Sequence, residues 1–91
     1  MNSNVFPYHP GTVPEMLAAM RRAVADGGEC LVVDLAAIGS VDATVARELI
    51  VLLRRSREWG ADVALTGANS DVSRSLAAMA LDRIFTMVNA A

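Results

Sequence analysis

The feature that most constrains the fold of this chain is a β-favouring run followed by a helical pattern and then by a second β-favouring run. Residues 30–35 are apolar except for Asp34, residues 43–59 repeat apolar side chains at helical spacing, and residues 62–66 return to a strand-like composition. Strands that alternate with helices form βαβ units, in which the strands are parallel and the crossover is right-handed. The chain is therefore predicted to be an α/β protein with a small, mostly parallel β-sheet and helices packed against it.

Shorter patterns predict the remaining elements. Residues 5–8 indicate a stub of edge strand, because Pro7 and Pro10 exclude a long central strand. Residues 12–15 have the form of a capping box that opens a first helix, and Gly27 and Gly28 end it. Ser70 is predicted to cap a further helix, and residues 86–88 are predicted to form a short last strand. The inward residues of that helix are predicted to be Val72, Leu76, Met79 and Ala80.

Length and composition limit the class of protein. A chain of 91 residues with 54% hydrophobic residues fits a single core, so we expect one domain over 1–91 with a short irregular N-terminal segment at 1–11. No apolar run approaches the roughly 20 residues needed to cross a bilayer, and the start of the chain lacks the pattern of a secretory signal. We therefore expect a cytoplasmic protein without membrane insertion.

Charge and motif content argue against several activities. A net charge of −2 disfavours a nucleic-acid binder. The basic stretch at residues 54–57 is interpreted as a solvated helix face relieved by Glu48 and Glu58. No metal-ligand spacing, phosphate-binding loop or dinucleotide fingerprint occurs, so no metal or cofactor is expected. Cys30 is predicted to be buried as a small apolar residue in a strand with both faces covered.

The start of the helix at residues 43–59 carries the candidate site. Ser40, Asp42 and Thr44 place two hydroxyls and a carboxylate where backbone N–H groups lack intrahelical partners and favour an anion. With Asp42 as the N-cap, Thr44 points outward, because the inward stripe begins at Val45. The alternative is that Ser40 and Asp42 serve only as turn and capping residues.

The outer face of the same helix offers a surface for a partner. Arg47 lies on the charged side, and projection at 100° per residue places Val51 between Arg47 and Arg55, away from the buried leucines. A single exposed valine is common and carries no function by itself. Its position on the helix that begins at Asp42 favours a contact with another protein.

From residue 31 to residue 88 the order of motifs resembles the STAS domain, the fold of bacterial anti-sigma factor antagonists and of sulphate-transporter tails. The resemblance rests on the strand that ends in Val33-Asp34-Leu35, the loop Ser40-Val41-Asp42, the helix that ends in Glu58-Trp59-Gly60, the strand Val63-Ala64-Leu65, and the ending Met79-Ala80-Leu81-Asp82-Arg83-Ile84-Phe85. The last stretch is similar to the family's Gly-Leu-Asp-Lys-Val-Phe ending.

The resemblance implies a phosphorylation switch. In antagonists of this family the loop has the form Asp-Ser-Ser-Gly, and a partner kinase that is also the anti-sigma factor phosphorylates the second serine. Asp42-Ala43-Thr44-Val45 occupies that place here, so Thr44 falls on the acceptor position, Ala43 removes the first hydroxyl and Val45 replaces the glycine. Such domains also have two strands before the first helix, whereas this chain has room for one. An exposed sheet edge is therefore expected, which favours strand addition or homo-oligomers.

These observations predict a non-catalytic interaction module that binds an anti-sigma factor or serine kinase through Ser40, Asp42, Arg47 and Val51. The module is either switched by phosphorylation of Thr44 or acts constitutively without it. A regulatory subunit of an ABC-type lipid or solute transporter, bound to its ATPase subunit, and a stressosome-type scaffold component are alternatives within the same fold. An enzyme or small-ligand binder with a pocket at the strand ends is a third class. The sequence offers no acid–base pair for it, because Asp34, Asp42 and Asp62 lie in different segments.

Overall fold

The computed structural model of the chain describes residues 5–88. Within these residues, four strands alternate with three α-helices, and one short 3-10 helix, here η1, precedes the last strand. In chain order they are β1 (Val5–Pro7), α1 (Val13–Ala25), β2 (Cys30–Asp34), α2 (Ala43–Glu58), β3 (Asp62–Thr66), α3 (Ser70–Ala78), η1 (Leu81–Arg83) and β4 (Thr86–Met87). This succession confirms the predicted α/β class, with one strand before α1 among the described residues.

The strands form a single sheet in the order β1-β2-β3-β4, and every pairing is parallel. One row of the register joins Val5, Val32, Ala64 and Thr86 across all four strands. Because each crossover advances one strand in the same direction, right-handed connections place the three helices on the same face of the sheet. The other face has no helix from residues 5–88.

The two faces of the sheet differ accordingly in burial. Side chains of β2 and β3 that point towards the helices are fully buried, namely Leu31, Val33, Val63 and Leu65. On the opposite face Val5 and Cys30 are exposed and Val32 is half-buried, whereas the small Ala64 on β3 is buried. The prediction that β2 is covered on both faces and that Cys30 is buried is therefore wrong. The one-sided arrangement of the helices is the reason.

The core lies between this sheet and the helices. Met16 and Met20 of α1, five residues of α2, and Val72 and Leu76 of α3 are buried in it. Met79 and Ala80 are exposed, contrary to the prediction, because α3 ends at Ala78 and Ala80 adopts the left-handed conformation with φ 59°.

The helix starts differ from the predicted caps at two places. The Thr12 hydroxyl donates to the carbonyl of His9 at 2.7 Å and makes no capping bond, so the predicted capping box does not form. Asn69, one residue before the predicted Ser70, caps α3 and accepts from the amide of Val72 at 2.8 Å. In each case a local hydrogen bond between a side chain and the backbone determines whether that side chain caps the helix.

Candidate partner-binding site at the start of α2

The loop between β2 and α2 is held in place by its apolar side chains. Leu35, Ile38 and Val41 are buried in the core, and the amide of Leu35 donates to the carbonyl of Thr66 at 2.8 Å. Ser40, Asp42 and Thr44 are exposed between and after these anchors. The chain therefore presents its polar side chains to solvent from a loop that the core fixes at three points.

Asp42 is the N-cap of α2. Its backbone is extended, and its Oδ1 accepts a hydrogen bond of 2.9 Å from the amide of Val45. The carbonyl of Asp42 accepts from the amide of Ala46 at 2.9 Å, which starts the helical ladder. The carboxylate thus satisfies one of the free N–H groups and favours the positive end of the helix.

Thr44 is the second residue of α2, and its side chain is exposed. Val45, the next residue, is buried and begins the inward stripe. Among the bonds between residues 5 and 88, none involves the Thr44 hydroxyl. The oxygen is therefore accessible to another protein at the end of the helix where negative charge is favoured.

Arg47 and Val51 continue this surface along α2. Both are exposed, Val51 by 36%, and they follow Thr44 at spacings of three and seven residues, which lie on one side of a helix. At 1.5 Å rise per residue the distance from Thr44 to Val51 along the axis is about 10 Å. We call Ser40, Asp42, Thr44, Arg47 and Val51 the α2 stripe.

The arginines near the α2 stripe differ in their ion pairs. Arg55 pairs with Glu58 at 3.4 Å, as the sequence suggested, whereas Arg57 pairs with Asp62 at 3.4 Å. Arg47 and Arg54 have no carboxylate within 4 Å among residues 5–88. The basic stretch is therefore only partly neutralised, and its excess positive charge lies on the side of the α2 stripe.

A contact between Tyr8 and Glu48 was not predicted from the sequence. Tyr8 is fully buried, and its hydroxyl donates to Oε1 of Glu48 at 2.5 Å, while the amide of Gly11 donates to the same oxygen at 3.2 Å. Burial, and then the hydrogen bond and negative charge of Glu48, raise the pKa of Tyr8 far above its ordinary value. Glu48 is thus engaged by the N-terminal segment and does not neutralise the arginines.

Other chemistry is sparse in the described part of the chain. No group of three or more His, Cys, Asp or Glu side chains among residues 5–88 is arranged to hold a metal ion. A cavity of about 260 Å³ lies at the carboxyl ends of β3 and β4, and its polar side chains are Thr66, Asn69 and Ser73. It is separate from the α2 stripe, and no acid or base lines it. Over the same range, no helix is long and apolar enough to cross a membrane.

Comparison with known proteins agrees with this architecture. The family model STAS_2, described as "Mlab, STAS domain", matches residues 10–89, so the chain belongs to the STAS family. No curated protein matches the chain in sequence. The predicted family and fold are thereby confirmed.

Three solved structures illustrate the likeness. The crystal structure of TM1081 from Thermotoga maritima, a candidate anti-sigma factor antagonist, has a TM-score of 0.70 and 18% identity, with 100% of this chain and 83% of that chain covered. The NMR structure of TM1081 gives a TM-score of 0.71 and 18% identity, with 98% and 77% covered. A serine-to-glutamate variant of RsbS from Moorella thermoacetica has a TM-score of 0.69 and 25% identity, with 98% and 84% covered. At these identities the chain shares their fold.

Proposed function

We propose that the chain is a non-catalytic, cytoplasmic interaction module of the anti-sigma factor antagonist type. It binds a partner kinase that is also an anti-sigma factor through the α2 stripe, and phosphorylation of Thr44 switches this binding. The observation that carries the proposal is the accessible Thr44 hydroxyl in the first turn of α2, beside a loop held by Leu35, Ile38 and Val41. A sheet edge offers a separate route to homo-oligomers.

The phosphorylation step is an ordinary phosphoryl transfer. The Thr44 oxygen forms a bond to the γ-phosphorus of ATP, the bond to the β–γ bridging oxygen breaks, ADP leaves, and a base of the kinase takes the hydroxyl proton. The product carries about −1.5 to −2 charges at neutral pH. The helix N-terminus favours this charge by roughly 0.3–1 kcal/mol and Asp42 opposes it, so the fold changes little.

The partner, in contrast, is strongly affected. Arg47 lies three residues after Thr44, within reach of a phosphate on the same side of the helix. A phosphate would therefore neutralise Arg47 and add negative charge beside Val51. An acidic or apolar patch that docks on the unmodified stripe would lose its attraction and meet like charge, which weakens binding by several kcal/mol.

The test uses complexes isolated from the native cell with the tagged full chain, analysed by mass spectrometry. The proposal predicts a kinase-like partner and a mass gain of one phosphate on the tryptic peptide that contains Thr44. The Thr44→Glu variant is expected to lose this partner. Ser70→Glu is the matched control, because Ser70 is an exposed hydroxyl in the first turn of α3 after an Asn69 cap. No phosphate and unchanged partner binding by Thr44→Glu would contradict the switch.

A second candidate is a regulatory subunit of an ABC-type lipid or solute transporter, or a stressosome-type scaffold component. This candidate is favoured by Val45, which is buried where the antagonist loop has glycine and which has less backbone freedom than glycine in the first turn of α2. A stiff first turn suits a surface that binds its partner without modification. An ATPase subunit among the co-purified proteins, with Thr44 unmodified, would support the transporter.

A further inference from the structure

Exposed apolar side chains are concentrated at the β4 end of the sheet. Among the large hydrophobic residues that are exposed between residues 5 and 88, four belong to residues 79–88, namely Met79, Ile84, Met87 and Val88. They lie at or just after the ends of three consecutive elements, α3, η1 and β4, and η1 contacts both α3 and β4. Grouped exposure of this kind marks an interaction surface more often than isolated exposure does. We call these four residues the β4 patch.

The backbone of β4 is suited to pairing with another strand. The amide of Val88 donates to the carbonyl of Leu65 at 2.8 Å, so Val88 faces β3. Because alternate residues of a strand bond to the same neighbour, the N–H and C=O of Met87 point away from β3. β4 is the last strand in the order, and no strand of residues 5–88 occupies its outer side.

The two edges of the sheet differ in their protection. At the β1 edge Pro7 has no N–H to offer, and prolines on edge strands prevent pairing with other chains. Residues 84–88 contain neither proline nor a charged side chain. The sequence led us to expect the exposed edge at the N-terminal strand, but that edge is the protected one. β4 is the edge that can accept a strand.

Charge favours a second copy of this chain at β4. Asp82 and Arg83 lie beside the β4 patch, both are exposed, and neither is ion-paired within residues 5–88. A surface with one acid and one base has no net repulsion for its own copy, and a two-fold arrangement can bring the acid of one copy to the base of the other.

We propose that two copies pair through β4 in an isologous, antiparallel arrangement. The outward N–H and C=O of Met87 bond to the other copy, and the two four-stranded sheets become continuous. The side chains of Met87 and Val88, which lie at the joined edge on opposite faces of the sheet, are partly covered at the same time. Because β4 is short, the buried area falls below that of a standard stable interface, and the dimer is a weak one that forms at high protein concentration.

Sedimentation velocity of the full chain, in reductant and over protein concentrations up to about 1 mM, tests this directly. The wild type is expected to show a concentration-dependent monomer–dimer equilibrium. Met87→Pro removes the outward N–H while keeping the bond from Val88 to Leu65, and it should weaken dimerisation at least about 10-fold. Met87→Lys adds an edge charge and should do the same. Circular dichroism and urea unfolding verify that both variants are folded.

Two variants locate the contact. Val51→Lys changes a side chain of α2 that is 36% exposed, against 37% for Met87, and it should dimerise like the wild type. Cys30→Lys charges the open sheet face, removes the only cysteine, and should also dimerise normally. The proposal is overturned if the wild type stays monomeric at the highest concentration, if both Met87 variants dimerise normally, or if Val51→Lys or Cys30→Lys abolishes the dimer. Because no α2-stripe residue takes part, these outcomes are independent of the proposed switch.

Discussion

The hydroxyl of Tyr8 donates a hydrogen bond of 2.5 Å to Oε1 of Glu48, and this bond joins the segment after β1 to the second turn of α2. Tyr8 is fully buried, so solvent does not compete with Glu48 for its hydroxyl. Removing the hydroxyl leaves the amide of Gly11 as the donor to the Glu48 carboxylate among residues 5–88. We predict that Tyr8→Phe lowers the free energy of unfolding by about 1.5–3 kcal/mol, because the lost bond is to a charged group. Urea unfolding at pH 7 measures the change, and an unchanged midpoint would contradict this role.

The same pair predicts a pH dependence at the alkaline end. Since the pKa of Tyr8 is raised in the folded protein, the unfolded chain releases this proton first, at pH values above about 10. The stabilisation from Tyr8 is therefore complete below pH 10 and falls by about 1.4 kcal/mol for each further pH unit until the folded protein also releases the proton. Urea unfolding at pH 8 to 11 should show the wild type losing stability faster than Tyr8→Phe. Equal slopes would contradict the assignment.

Gly67 is required where the chain turns after β3. Its φ is +74°, and a Cβ would clash with Oδ1 of Asp34 and lie 3.1 Å from the amide nitrogen of Ala36. That Oδ1 accepts from the amide of Ala36 at 2.9 Å at the start of the loop to α2. We predict that Gly67→Ala destabilises the fold by more than about 2 kcal/mol, from backbone strain and the clash together.

Gly60 supplies the control for this substitution. Its φ is +86°, and a Cβ there would meet no atom within 4 Å. Gly60→Ala should therefore carry only the backbone strain, about 1–2 kcal/mol. Equal losses of stability in urea unfolding for the two variants would show that contact with Asp34 is unimportant.

The N-caps of α2 and α3, Asp42 and Asn69, allow an effect on stability to be distinguished from an effect on partner binding. Asp42 and Asn69 each accept from the third amide of their helix, at 2.9 Å and 2.8 Å. Asp42→Ala and Asn69→Ala are each expected to lower the free energy of unfolding by about 1 kcal/mol, measured by thermal or urea unfolding. Asp42→Asn should keep the cap. If the α2 stripe binds the partner, Asp42→Ala lowers affinity whereas Asn69→Ala does not, and equal affinities would restrict Asp42 to capping.

Ser56 is a buried polar residue with an unused hydroxyl. It is fully buried in α2, and its Oγ has no hydrogen-bond partner within residues 5–88. Replacing an unsatisfied buried hydroxyl removes a desolvation penalty. We predict that Ser56→Ala leaves stability unchanged or raises it by up to about 1 kcal/mol, with the exposed Ser73→Ala as the neutral control. A loss above about 1 kcal/mol in urea unfolding would indicate a bond that supports α2.

Local patterns were sufficient to predict the elements around the site. The cap at Asp42 and the buried stripe that begins at Val45 are encoded within α2 and its start, so periodicity and capping rules located them. The exposure of Cys30 could not be derived in this way, because it depends on the order of all four strands and on the side that the helices take. Strand patterns alone do not distinguish a sheet covered on one face from one covered on both.

Long-range contacts account for the other differences. Glu48 seemed from its spacing to be available to the arginines, but Tyr8, 40 residues earlier in the chain, binds it. No periodicity links two residues at that separation, although a tyrosine between Pro7 and Pro10 is a signal of a fixed and packed loop. The partner of Arg57 is likewise Asp62, on β3, and not a residue of its own helix.

The central claim is that another protein binds the exposed first turn of α2 and that charge at Thr44 controls this binding. The most direct measurement is the dissociation constant of the co-purified partner for the wild type, Thr44→Glu and Ser70→Glu, by isothermal titration calorimetry. The account predicts that Thr44→Glu weakens binding about 100-fold or more, which corresponds to roughly 2.7 kcal/mol, and that Ser70→Glu binds like the wild type. Equal dissociation constants for Thr44→Glu and the wild type would contradict it.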